Sequence, residues 1–330
     1  MGRIGEILEG FNMTVKIVKK MNPDRSKIAI QSDIVRNMLK RPISFPDYRK
    51  CNYINISDEV KDECINKKEY EKFVNYMDHE PYTDIFVDKI KFNKTFKDYI
   101  GRDFIDIRDA GAEGLAKFVQ GKDSVFAKVT DSFGGHGIEK IKDFSNIEEL
   151  YNKMMENKQY LVEDALIQNE VLNKINPYAV NNVRYATVVK DGEVFIETST
   201  LRLNTGDDPV ISSMDVMVNV DEEGNLISDA YDEWFETYET HPDTGTKIKG
   251  MKLPFIPEAR EMVKKAALLV PEVRYVGWDV AITESGPVLI EGNFYPSYGL
   301  TQYYLLNPDF PLKKRLKAIL GDEWDKAMDA

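Results

Sequence analysis

VGWDVAITESGPVLIEGN, Val276–Asn293, sets Asp279, Glu291 and Asn293 into a run otherwise rich in Val, Ile, Leu and Trp. Thr283-Glu284-Ser285-Gly286 reads as a turn between two strands. If the turn centres on Ser285, Asp279 pairs with Glu291 and Ala281 with Leu289. Paired residues share a sheet face, and neighbours along a strand alternate. One face is then Trp278, Val280, Ile282, Val288 and Ile290, an apolar set suited to a core. The other is Asp279, Ala281, Leu289, Glu291 and Asn293. Two adjacent carboxylates repel, so one must hold its proton or a cation must bridge them. Asp, Glu and Asn oxygens suit Mg²⁺, above all where phosphate oxygens complete the shell. The alternative is a solvated face carrying ordinary charges, on which Gly277 and Gly292 would be unexpected.

Upstream, FAKVTDSFGGHGIEKI, 126–141, delivers Lys128 from a strand into a loop holding Ser132, Gly134, Gly135, His136 and Gly137. Such a loop can turn backbone N–H groups toward phosphates, or it can be a plain flexible turn. It is neither a P-loop nor a dinucleotide fingerprint. YLVEDALIQNE, 160–170, ends an apolar strand at Glu163 and sets Glu170 seven residues on. An extended backbone here can face an adenine edge; alone, it is an ordinary strand end.

The remaining chain supplies the frame. IGEILEGFNMTVKIVKK, 4–20, has helical apolar spacing, and SDEVKDECINKKEYEKFVNYM, 57–77, reads as a helix capped at Ser57. Residues 1–87 show no strand–Gly-loop–helix unit. DKIKFNKTFKDYIG, 88–101, reads as a helix, FIDIRDA as a strand and loop, and SNIEELYNKMMEN as a helix capped by Ser145 with Glu148. VRYATVV and EVFIETSTL flank Lys190-Asp191-Gly192, a hairpin turn.

The order of Lys-bearing Gly-loop hairpin, Glu-ended strand, then Asp…Glu-x-Asn hairpin resembles the ATP-grasp superfamily, from about Asp88 to Gln302. NNVRYATV (181–188), HPDTG (241–245) and the 277–293 hairpin are similar to the sugar-transfer-associated ATP-grasp family. The resemblance implies an α+β, ATP-grasp fold: two α+β subdomains gripping ATP, with a mostly helical N-terminal region. The division expected is 1–87 helical, 88–160 a lid subdomain with the Gly-rich loop, and 161–330 a C-terminal subdomain with a metal site.

By the same resemblance, Lys89 and Lys128 contact the nucleotide phosphates, with Lys91 and Lys94 as alternatives to Lys89. Ser132–Gly137 covers the phosphates, Glu163, Asp164, Ala165 and Leu166 meet adenine, and Glu170 meets ribose. Asp279, Glu291 and Asn293 hold Mg²⁺. D-Ala–D-Ala ligase-like relatives carry an arginine two residues before the metal Asp, where this chain has Gly277. Arg184 and Arg202 are the candidates to replace that cation near the reacting acyl group; a cross-strand salt bridge is the alternative. His136 either touches phosphate or tops a turn, and His241 either meets substrate or orders its loop.

The implied chemistry is ATP-dependent amide formation between small-molecule carboxylate and amine substrates through an acylphosphate, or a kinase reaction that stops at phosphorylation. A nucleotide-responsive binding protein is a third reading.

Composition bounds the rest. The 330 residues are 42% hydrophobic, with 17 Tyr and 16 Phe, so large cores are within reach. A net charge of −12 argues against general nucleic-acid binding. The two cysteines, Cys51 and Cys64, read as free thiols. No secretory signal and no apolar run of membrane-spanning length is evident, so a cytoplasmic location without membrane insertion is expected. The oligomeric state is not legible.

Overall fold

The computed structural model describes residues 2–132, 136–209, 216–298 and 311–330. In chain order the first helices are α1 (Arg3–Met21), α2 (Lys27–Lys40), α3 (Phe45–Lys50), α4 (Asp58–Asp62), α5 (Lys67–Met77), α6 (Asp84–Val87) and α7 (Lys89–Thr95). Then come β1 (Phe104–Asp106), α8 (Ile107–Val119), β2 (Val125–Lys128), β3 (Ile138–Ile141), α9 (Ile147–Glu156), β4 (Leu161–Asp164) and α10 (Glu170–Ile175). The hairpin-rich part holds β5 (Asn182–Lys190), β6 (Glu193–Leu203), β7 (Val216–Asn219), β8 (Ala230–Tyr231), β9 (Thr237–Tyr238), α11 (Ile256–Ala267), β10 (Tyr275–Thr283) and β11 (Gly286–Asn293). Helices α12 (Leu312–Leu320) and α13 (Glu323–Asp329) end the chain.

The chain forms two units, Met1–Met77 with Tyr295–Ala330, and Asp78–Phe294. The sequence reading set the first boundary at residue 87 and kept the C-terminal helices with the second half. The C-terminal helices instead have their own reason to join the N-terminal ones. Helix α12 buries Leu312, Leu316 and Leu320, and Trp324 of α13 stacks on Phe73 of α5 at 6.0 Å. Lys313 reaches Glu69 at 2.7 Å. The other core of this unit gathers Val15 and Val18 of α1, Ile30 and Ile34 of α2, Tyr48, Cys51, Tyr53 and Cys64. Both cysteines are free thiols.

Residues 57–77 form two helices, not the single one expected. Asn66 Oδ1 accepts from the Glu69 N–H at 3.1 Å while Glu69 Oε2 accepts from the Asn66 N–H at 3.1 Å, a reciprocal cap that starts a new helix. Helix α9 likewise starts one residue later than expected. Asn146, not Ser145, caps it, accepting from the Glu149 N–H at 3.3 Å. After β1 the chain turns straight into α8, capped by Asp106, rather than into a loop.

The second unit holds two antiparallel sheets. The smaller, ordered β1-β4-β2-β3, is packed by α8 and α9 around Ile107, Leu115, Val125, Met154 and Val162. The larger is ordered β11-β10-β5-β6-β7-β8-β9. Helix α11 contributes Ile256, Ala259, Val263 and Ala266 to the same core as Tyr185, Leu201, Trp278 and Val280 of the larger sheet. Phe86, Phe92 and Phe96 close this core around Trp278, whose indole N–H donates to Thr187 Oγ1 at 2.8 Å.

The β10–β11 register pairs Asp279 with Glu291, and then slips. Val280 pairs with Leu289 and Ala281 with Val288, so Ile290 is an extra residue, a β-bulge. The turn is the two residues Glu284-Ser285, between the paired Thr283 and Gly286. The slip corrects the expected faces beyond the acid pair. Leu289 joins the core and is fully buried, while Ile290 lines a cleft.

Candidate active site

The cleft lies within the second unit, between β2 and β4 of the smaller sheet and β11 of the larger. Phe86, Phe92, Leu161 and Ile290 give it apolar walls. Its polar lining includes Lys89, Asn93, Arg102, Lys128, Ser132, Glu163, Glu291 and Asn293.

Each side chain is aimed by a local device. Asp88 caps α7, accepting from the N–H groups of Ile90 at 2.8 Å and Lys91 at 3.1 Å. Lys89 therefore starts the helix, its N–H donating to Thr130 O at 3.0 Å and its Nζ to Ser132 O. Asn93 stands one turn on, on the same face. Lys91 points elsewhere, 3.5 Å from Asp84, and Lys94 is exposed, so only Lys89 of the three lysines lines the cleft. Burial pushes the Lys89 ammonium below its usual range, opposed by the nearby Glu291.

Lys128 ends β2, and Glu163 stands on β4 alongside; Phe126 pairs with Glu163 and Lys128 with Leu161. Their side chains form a buried ion pair, joined by Arg102 Nε at 3.0 Å and Asn93 Nδ2 at 3.2 Å. Burial alone would raise the Glu163 carboxyl, but Arg102 and Lys128 outweigh it and hold it down at about 2.

The Arg102 side chain is 2% exposed and reaches much further. Its Nη1 donates to Leu289 O at 2.7 Å and Ile100 O at 3.1 Å, and its Nη2 to Ile290 O at 3.1 Å. One guanidinium thus holds the β11 bulge and the β4 carboxylate together.

Gly292 lets β11 sit this close to the aromatic wall. A Cβ there would stand 2.9 Å from both Phe86 Cδ1 and Phe92 Cε2. This explains one of the two glycines that looked out of place in the hairpin.

Asp279, one strand inward from Glu291, pairs across β5 with Arg184. Arg184 engages both carboxylate oxygens, with Nη2 2.7 Å from Oδ2, and Arg202 Nη1 lies 4.0 Å away. Burial opposes ionisation of Asp279, but Arg184 and Arg202 hold it below the usual carboxylate range. Glu291 goes the other way. Burial and the neighbouring Asp279 charge raise it, and Asn293 Nδ2 donates to its Oε1 at 3.3 Å.

Asp279, Glu291 and Asn293 could hold a hard cation. Their donors are oxygens, and the cost of two neighbouring carboxylates, one buried and one half-buried, is the demand a divalent ion relieves. Among the described residues no three His, Cys, Asp or Glu are gathered for a metal, so the Asn293 amide and ligand oxygens would have to complete the shell.

Asp164, Ala165, Leu166, Glu170, His136 and Gly137 stand outside this lining, as do Asp279, Arg184 and Arg202. Asp164 pairs with Lys122, and its N–H donates to Asp103 O at 3.0 Å. Ala165 and Leu166 follow β4, half-buried. Glu170 is exposed, 3.5 Å from Lys174, and its N–H donates to Glu284 Oε1 at 2.7 Å. Ser132 Oγ donates to His136 O at 2.6 Å, folding the loop end back on itself, and His136 is exposed. Gly137 takes φ +72°, a conformation that favours glycine. Gly134 and Gly135 lie outside the described residues.

His241 is fully buried and acts on its loop. Its Nδ1 accepts from the Asp243 N–H at 3.3 Å, so Nε2 carries the proton and donates to Asn204 O at 2.9 Å. Asp243 Oδ2 in turn accepts from the Gly206 N–H at 2.7 Å.

Sequence reading missed Arg102 and Asn93. Asn93 had a signal, the i, i+4 spacing from Lys89. Arg102 had none, because its partners come from distant elements.

A Gly-loop sheet and an acid-bearing sheet facing one cleft are the architecture of the ATP-grasp fold. Residues 111–319 match the family described as sugar-transfer associated ATP-grasp, and the chain belongs to that family. Solved structures similar to it include D-alanyl-alanine synthetase A from Vibrio cholerae, at 10% identity and TM-score 0.46, covering 74% of this chain and 66% of that one. N5-carboxyaminoimidazole synthetase from Staphylococcus aureus, complexed with ADP, is similar at 12% identity and TM-score 0.47, covering 71% and 52%. Phosphoribosylamine–glycine ligase from Thermotoga maritima is similar at 12% identity and TM-score 0.45, covering 71% and 54%. The chain thus spans about half to two thirds of the length of these proteins. No curated protein sequence matches it.

Proposed function

We propose that the chain is an ADP-forming ligase that joins a carboxylate to an amine through an acylphosphate, on a sugar acid, an amino acid or a cell-surface glycan precursor. The observation that carries this reading is the cleft itself. It brings two lysines, Lys89 and Lys128, to the same space as Glu291 and Asn293, with Asp279 and two arginines on the adjoining strands. Cations on one side and oxygen donors on the other suit a nucleoside triphosphate and its Mg²⁺.

When bound, Mg²⁺ would neutralise the β- and γ-phosphate oxygens, held by Asp279, Glu291 and Asn293. Lys89 and Lys128 would meet the same phosphates from the other side. The substrate carboxylate attacks the γ-phosphorus, ADP leaves, the amine attacks the acyl carbon, and phosphate departs with an amide formed. Arg184 and Arg202 would meet the developing oxyanion. Glu163 has its side chain committed to Arg102, Lys128 and Asn93, and the backbone of Glu163 and Asp164 pairs with β1 and β2, so an adenine edge would fall to Ala165 and Leu166.

The cavity left in the cleft is only about 20 Å³. Nucleotide entry therefore requires Lys128 to leave Glu163 or the two sheets to part. The same closure would then keep water from an acylphosphate.

Incubation with Mg-ATP and pools of small acids and amines tests the proposal. ADP and phosphate release that needs both an acid and an amine is expected. A stable phosphorylated product made without amine would replace the ligase with a kinase. No ADP with any pool would leave a nucleotide-binding protein.

A further inference from the structure

The first 50 residues hold eleven Lys and Arg against five Asp and Glu, net +6, whereas the other 280 residues carry −18 of the chain's −12. The same 50 residues expose aliphatic side chains. Helix α2 buries Ile30, Ile34 and Asn37 on one side. On the opposite side Ile28 is 74% exposed, Val35 48% and Leu39 84%. Spacings of seven and four place these three in one stripe. Lys27, Arg36 and Lys40 flank it and are exposed too.

Helix α1 shows the pattern in another form. Its apolar stripe starts at Ile4, Ile7 and Leu8 and continues into Val15 and Val18. The last two are buried in the helical core, while the first three are 76%, 52% and 56% exposed. The stripe therefore continues past the core that covers it.

We propose that the outer face of α2 binds an anionic lipid surface, with Ile4, Ile7 and Leu8 of α1 adding apolar contact but, among the described residues, no cation, since the exposed charges beside them are Glu6 and Glu9. Aliphatic side chains flanked by long cations suit a helix lying among lipid headgroups, and lysine stems can themselves rest on apolar surface. The charge division orients the contact, since an anionic surface attracts this segment and repels the acidic remainder. It also disfavours a second copy seated face to face, which would oppose Lys27, Arg36 and Lys40 of one copy to those of the other. The contact is adsorption; no described helix is long and apolar enough to cross a membrane. It does not depend on the reading of the cleft.

Co-sedimentation of the whole chain with vesicles tests the proposal. Binding is expected to phosphatidylcholine vesicles containing phosphatidylglycerol, to vanish at high salt, and to be absent with phosphatidylcholine alone. The double variant Lys27→Glu/Arg36→Glu should lower the partition coefficient roughly tenfold or more. Ile28→Ser/Leu39→Ser should also lower it, with charge unchanged. All four positions are exposed, and circular dichroism verifies that the variants keep the fold. No binding to the anionic vesicles would overturn the proposal, as would unchanged binding by both variants. So would a Leu39-dependent dimer in analytical ultracentrifugation, which would make a second copy the occupant.

Discussion

Replacing Glu163 by Gln keeps the shape of the side chain and removes the one anion among three buried partners. In the wild type Arg102 and Lys128 hold this carboxyl at about 2, against an ordinary value of 4.5. Each pKa unit is worth ~1.4 kcal/mol, so the ionised carboxylate contributes about 3 kcal/mol at pH 7. Glu163 is 3% exposed, so solvent screening takes little from that figure. The sign follows from the direction of the shift. A depressed acid stabilises the fold above its unfolded value and loses that contribution as pH falls through about 2. Urea unfolding of both proteins should therefore differ by about 3 kcal/mol at pH 7, narrowing to about 1 kcal/mol at pH 3. Arg102 keeps its three carbonyl partners, and Lys128, which lines the cleft, can turn away, so the loss stays at the low end of the ~3–5 kcal/mol typical of a broken buried pair. A variant within about 1 kcal/mol of wild type at pH 7, or a gap that does not change with pH, would refute the reasoning.

Glu291→Gln removes one of two adjacent carboxylates, the half-buried one. Ligand-free thermal stability should be unchanged or higher, while Mg²⁺-dependent ATP binding, followed by calorimetry, should fall at least tenfold, or about 1.4 kcal/mol. Wild-type binding by this variant would remove Glu291 from the metal site. Gly292→Ala places a methyl 2.9 Å from Phe86 and Phe92. It should cost about 1–3 kcal/mol, a drop of several degrees in the unfolding midpoint, and Phe92→Leu in the same chain should recover part of it.

What the sequence made legible was local. The Asp279–Glu291 pairing followed from turn position and strand alternation, and it holds because the slip begins one residue beyond it. The Asp191-Gly192 turn was legible for the same reason, since it is decided within a dozen residues. The bulge was not. Which residue is left unpaired depends on Arg102, which takes the carbonyls of Leu289 and Ile290 from 187 and 188 positions away. The cleft ion cluster was hidden in the same way, since Asn93, Arg102, Lys128 and Glu163 share no spacing. The affiliation of α12 and α13 with the N-terminal helices depended on a stacking partner, Phe73, far back in the chain.

The puzzle of two carboxylates in an apolar hairpin changes once strand order is known. Hairpin pattern alone makes Asp279 and Glu291 equivalent. With β5 beside β10, they are not. Asp279 already has a bidentate counter-charge in Arg184, whereas Glu291 faces the cleft with its carboxyl raised, an amide on one oxygen and Lys89 nearby. A cation entering the cleft would gain most from Glu291, and it would compete with Arg184 for Asp279. That competition would tie cation binding to the release of an arginine on the same sheet face, where an acyl oxyanion would need one.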